Sequence, residues 1–170
     1  FHDPARYKRN PVENSSFLVS SGFDIDPRQH GRGCVARLSG STVEFLHIWR
    51  HLFLGAQPFG FASGELSFKP EPVLSKILFS QEARTVEVFG RRQHLPVDSA
   101  TCALFSNTLL VYINASRRDC FGDSAVKPDG YRLYDDNGDL LTSLAGPALY
   151  GELAENLRNG RFSRVEVILK

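Results

Sequence analysis

The spacing of apolar residues changes along the chain. Val43, Phe45, Leu46, Ile48, Trp49, Leu52 and Phe53 recur at helical intervals. They cover more than one face, which predicts a helix over 41–54 packed on two sides. Ser41-Thr42-Val43-Glu44 fits a capping box, in which the serine oxygen accepts a backbone N–H and Glu44 reaches back. Gly55 is a natural stop. From Glu65 onward the period shortens toward two. Glu65–Lys69, Thr85–Phe89, Thr108–Asn114, Tyr131–Asp135, Asp139–Leu144 and Arg164–Leu169 read as strands. Asp136-Asn137-Gly138 predicts a hairpin, because Asn-Gly tolerates the positive φ of tight turns. A short helix should follow Pro147, with Leu149, Leu153 and Leu157 on one side and Asn159-Gly160 as its stop. Residues 1–33 carry Pro4, Pro11, Pro27, Gly22, Gly31 and Gly33 and read as an extended arm or loops. The order predicts a mainly β fold, an antiparallel β-sandwich with a helical N-terminal extension.

Composition narrows the class. The 170 residues are 42% hydrophobic, which excludes disorder as the general state. Twenty basic against nineteen acidic residues leave a net charge of +1, which argues against a nucleic-acid partner or a membrane-surface binder. No apolar run approaches the roughly 18–20 residues of a membrane span. Cys34, Cys102 and Cys120 are too few and too scattered for a disulfide framework, so reduced thiols and a reducing compartment are expected. The chain contains no methionine, so Phe1 is expected to come from a processed precursor or from a larger polypeptide.

The best local candidate for chemistry is Arg37-Leu38-Ser39-Gly40-Ser41-Thr42, at the start of the long helix. A helix N-terminus offers unsatisfied N–H groups and partial positive charge, and Gly40 lets a ligand approach the backbone. This is an anion seat in outline, although a plain cap is the simpler reading of the local pattern. His47 and His51 have the i, i+4 spacing of metal ligands, but no third ligand lies at a clear spacing. Two histidines at a packing interface, with no metal, is the preferred reading. Arg117-Arg118-Asp119 reads as an internal ion pair and Arg91-Arg92 as a solvated turn. Asp135–Asp139 lacks the closing glutamate of a calcium loop and reads as a hairpin turn. No nucleophile elbow, phosphate-cradling Walker loop or dinucleotide fingerprint occurs. Tyr7, Trp49, Tyr112, Tyr131 and Tyr150 supply aromatics for a carbohydrate-binding module, but no spacing assembles them into a sugar platform.

Three stretches together resemble the C-terminal part of glycoside phosphorylases of the cellobiose-phosphorylase type, in particular the β-glucan phosphorylases. They are Glu13–Phe17 with Gly33–Thr42, Gly64–Pro70, and Asn114–Asp119 with Ala125–Pro128. The resemblance implies an (α/α)6 catalytic barrel followed by a jelly-roll-like β-sandwich region. Residues 1–60 would then be an arm and the last barrel helix, and 61–170 the C-terminal domain. It implies inverting cleavage of a β-glucosidic bond by inorganic phosphate, with phosphate contacts from Ser39, Gly40 and Ser41 and no cofactor. The segment carrying the general acid lies outside this sequence, and Tyr112-Ile113-Asn114-Ala115 departs from the aromatic-rich family stretch. Glu44 is better explained as half of a capping box than as that acid. Alone, then, the chain should not catalyse. It would be either a C-terminal enzyme fragment or an accessory subunit that has lost its catalytic domain. In both cases the helix bearing Phe45, Trp49 and Phe53 should meet the rest of a barrel or another protein chain.

Overall fold

In a computed structural model of the chain the described residues are 18–19, 22–23, 25–30, 33–34 and 39–170, and for 18, 19, 29, 33, 34 and 39–42 the backbone alone is described. Most of the expected N-terminal arm lies outside them. Two compact units are resolved, Phe1–Trp49 and Arg50–Lys170. In the first, β1 (Leu18–Val19) pairs antiparallel with β2 (Gly33–Cys34). Between them a 3-10 turn at Pro27–Gln29 is capped by Asp26, which accepts from the Arg28 backbone N–H.

Helix α1 runs from Ser39 to Leu54 and crosses from the first unit into the second. The long helix expected from the apolar spacing is therefore present. Phe53 is only 7% exposed, whereas Trp49 is 38% exposed and Val43, Leu46 and Ile48 more so. The last turn is enclosed, and there three terminal carbonyls find partners. The Val73 N–H donates to Leu52 O at 2.8 Å and the Glu71 N–H to Leu54 O at 3.1 Å. The Tyr112 hydroxyl donates to Phe53 O at 2.5 Å. Gly55, at φ 80°, ends the helix as expected.

The second unit is mainly β. Its strands are β3 (Phe59–Ala62), β4 (Glu65–Phe68), β5 (Arg84–Val88), β6 (Arg91–Leu95), β7 (Ser99–Leu104), β8 (Thr108–Ile113), β9 (Pro128–Tyr134), β10 (Leu140–Ala145) and β11 (Leu149–Tyr150). Helix α2 (Gly151–Arg158) and β12 (Arg164–Leu169) complete it. A five-stranded sheet has the order β10-β9-β12-β8-β7, a three-stranded sheet the order β11-β4-β3, and β5–β6 form a hairpin of their own. Every pair is antiparallel except β12 with β8, which run parallel. The purely antiparallel expectation is corrected there: the chain turns through α2 and its last strand enters the middle of the sheet.

Period-two alternation gives the large sheet two different faces. On one, Leu110 and Tyr112 of β8, Val165 and Val167 of β12, and Tyr131 and Leu133 of β9 are in register and fully or almost fully buried. They form the main core with Phe68, Leu149, Ala154, Leu157 and the end of α1. On the other, Leu109, Val111 and Ile113 pack beneath Val86, Val88 and Leu95 of the β5–β6 hairpin in a smaller cluster.

Candidate functional site

Ser39, Gly40 and Ser41 are the first three residues of α1. The helical backbone begins two residues earlier than the capping pattern suggested, so Ser41 lies inside the helix and is not its N-cap. The N–H groups of a helix's first turn have no intrahelical acceptors, and these are the N–H groups of that step. Glu44 follows on the exposed surface.

Several of the other candidates hold the fold together. Among the described residues no three His, Cys, Asp or Glu side chains converge to hold a metal ion. His51 Nε2 lies 3.2 Å from Arg50 Nη2, beside a cation. Asp135 closes the β9–β10 hairpin, its Oδ1 accepting the N–H groups of Asn137 and Asp139, each at 2.9 Å. That oxygen is thereby committed to the turn. Arg91 is a half-exposed strand residue and pairs with Asp136 at 2.9 Å, tying the β5–β6 hairpin to the β9–β10 turn. Tyr112 and Tyr131 are buried in the core and cannot present a sugar platform. Phe53, one of the three aromatics expected to meet a partner, is enclosed within its own unit.

Asn114–Asp119 forms a clasp. Buried Asn114 donates from Nδ2 to Arg118 O at 2.7 Å, and the Ser116 hydroxyl donates back to Asn114 Oδ1 at 3.2 Å. Arg117, in the left-handed region at φ 50°, pairs with Asp98 and donates to Ser80 O at 3.1 Å. Asp119 Oδ1 accepts the Lys76 backbone N–H at 2.7 Å and the Ser75 hydroxyl at 3.1 Å. The Lys76 bond is the main cause of a carboxyl held below the usual range. Gly64–Pro70 likewise shapes a hairpin, with Ser63 and Gly64 both at positive φ in its tip and Leu66 and Phe68 in the core.

One polar constellation had no motif to announce it. On the second face of the large sheet, Glu166 stands opposite Arg132 and Arg164 opposite Tyr134. Glu166 is 4% exposed, yet both oxygens are engaged. Oε2 accepts from Arg132 Nη1 at 3.2 Å and from the Tyr134 hydroxyl at 3.1 Å, and Oε1 accepts from Arg164 Nη2. Arg164 also donates to His94 O at 2.8 Å and lies 5.4 Å over the Tyr134 ring. Burial, then the neighbouring Glu166 carboxylate, raise the Tyr134 phenol above its ordinary value, so it stays a donor. The only sequence signal is the alternation Arg164-Val165-Glu166-Val167, a strand that is apolar on one face and charged on the other. Cys102, on the core face, has its thiol pushed up to about 12 by burial, which disfavours the thiolate at neutral pH.

Comparison with protein-family models, with curated proteins and with solved structures found no match in any of the three. Among the described residues no helix is long and apolar enough to cross a membrane.

Proposed function

We propose that this chain is the C-terminal part of an inverting glycoside phosphorylase of the β-glucan type. In this reading α1 is the last helix of the catalytic barrel, and the sheets of the second unit are its β-sandwich domain. Ser39, Gly40 and Ser41 contribute contacts to inorganic phosphate, while the general acid and the sugar subsites belong to the rest of the enzyme. The observation that carries the reading is that the Ser39-Gly40-Ser41 step opens a helix. There its backbone N–H groups lack intrahelical acceptors, and Gly40 adds no Cβ to the approach. The scaffolding roles of the other two motif stretches agree with it. Val43, Leu46 and Ile48, exposed along the first half of α1, favour a further protein surface against that half, which the accessory-subunit reading also requires.

The test is an NMR titration of the 170-residue chain with inorganic phosphate. The expected result is movement of the 39–42 amides, abolished by Gly40→Val. Unmoved amides sink the reading. The chain alone should release no glucose 1-phosphate from β-1,2-, β-1,3- or β-1,4-linked oligoglucans, because it supplies no acid to the leaving oxygen. Sustained release lost in Glu44→Gln would make Glu44 that acid. An intact mass near 19.0 kDa in the source would favour the accessory subunit over the enzyme fragment.

A further inference from the structure

The β5–β6 hairpin packs its apolar side on β8 and reaches β12 and the β9–β10 turn through polar contacts, Arg164 to His94 O and Arg91 to Asp136. Between it and β9–β12 lies an open cleft of about 440 Å³, lined among others by Gln93, Pro96, Ile113, Arg132, Tyr134 and Arg164. That volume is in the range of small-molecule sites. Its floor is the Glu166 constellation.

We propose that this cleft binds a small organic oxyanion, a molecule presenting a carboxylate or phosphate group. Three observations carry the proposal. The first is charge: on the floor two guanidinium groups share one carboxylate, and in the turn beside it Asp136 is paired with Arg91. The second is donor supply. Arg132 donates one hydrogen bond, from Nη1 to Glu166, and its side chain remains 48% exposed. Its remaining N–H groups have no protein acceptor among the described residues, and the Gln93 amide, also in the lining, makes no side-chain hydrogen bond there either. Arg164, its Nη1 and Nη2 committed to His94 O and Glu166, adds charge to the floor. The third is preorganisation. Arg132 is held by Glu166, and Glu166 is held in turn by Tyr134 and Arg164. The guanidinium fork is thus fixed before a ligand arrives, which lowers the entropy cost of binding. Ile113 and Pro96 offer an apolar wall for the body of the ligand.

The site shares no residue with the first turn of α1 and does not depend on the phosphorylase reading. The experiment is an amide NMR titration of the full chain with succinate and with glucose 6-phosphate, using glucose as the neutral control. The expected result is saturable movement of the Gln93, Arg132, Tyr134 and Gly138 amides with at least one of the two anions and none with glucose. Arg132→Gln should weaken that binding about tenfold or more, and Gly40→Val should leave it unchanged. Gln93→Leu, which removes a neutral amide and no ion pair, should weaken it as well without lowering the Tm. No movement with either anion overturns the proposal, as does equal movement with glucose or binding undiminished in a folded Arg132→Gln protein. Movement confined to 39–42 would support the phosphate seat and defeat this site.

Discussion

Side chains in this protein are tied down by what they meet across the chain. Glu166 is the clearest case. Buried on a sheet face, its carboxylate is tolerable only because two arginines and a phenol surround it. Glu166→Ala leaves Arg164, whose side chain is 14% exposed, without its counter-charge. The expected loss is about 2–3 kcal/mol in urea unfolding, below the range for a fully buried pair because Arg132 reaches water. Asp119 gives a pH signature. Its folded-state pKa is lowered chiefly by the Lys76 N–H, so its stabilisation is complete above the unfolded carboxyl value. It drains away as the pH falls from about 4 through the lower folded value. Asp119→Ala should therefore flatten the acid limb of a stability-against-pH curve while leaving its slope above pH about 5 unchanged.

Elements form where local preference and a tertiary partner agree. The C-terminus of α1 joins a glycine stop to three carbonyl partners contributed by Glu71, Val73 and Tyr112. Gly55 serves twice, since its φ is 80° and an added Cβ would sit 3.0 Å from both Glu71 Cβ and Glu71 O. Gly55→Ala should cost about 1–2 kcal/mol in thermal or urea unfolding, because the strain and the contact fall on the same atom. The β5–β6 hairpin shows the opposite balance. Arg91-Arg92-Gln93-His94 has the composition of a solvated turn, yet it pairs as a strand, with Leu95 fixed over Leu109 and Val111. Only one face of that hairpin needs apolar residues, and few suffice.

At the scale of the molecule, the order β10-β9-β12-β8-β7 makes the last segment the centre of the sheet. Deleting 164–170 separates β8 from β9 and removes Val165, Val167 and Leu169 from the core. Such a truncation should lose near-UV dichroism and amide dispersion throughout residues 100–162, whereas a frayed edge strand would leave both nearly intact.

The amino-acid sequence by itself determined the long helix and its glycine stop, the strands with strong alternation, the Asn-Gly hairpin and the mainly β class. Each of these rests on interactions within a few residues, which a linear pattern records. It placed the start of that helix two residues late, at Ser41, because the capping pattern records only a few residues. The strands Phe59–Ala62, Arg91–Leu95 and Ser99–Leu104 escaped it, being glycine-containing, polar or built of small side chains, and they exist because a neighbouring strand supplies their hydrogen bonds. Tertiary structure alone decided that β12 would lie parallel to β8 and that the clasp at Asn114 would close on Ser75 and Ser80. It alone brought Arg132, Tyr134, Arg164 and Glu166 together under a hairpin drawn from residues 84–95. Electrostatic pairing acts through space, and residues 32 and 34 positions apart carry no mark of it until the register of β9 against β12 is set.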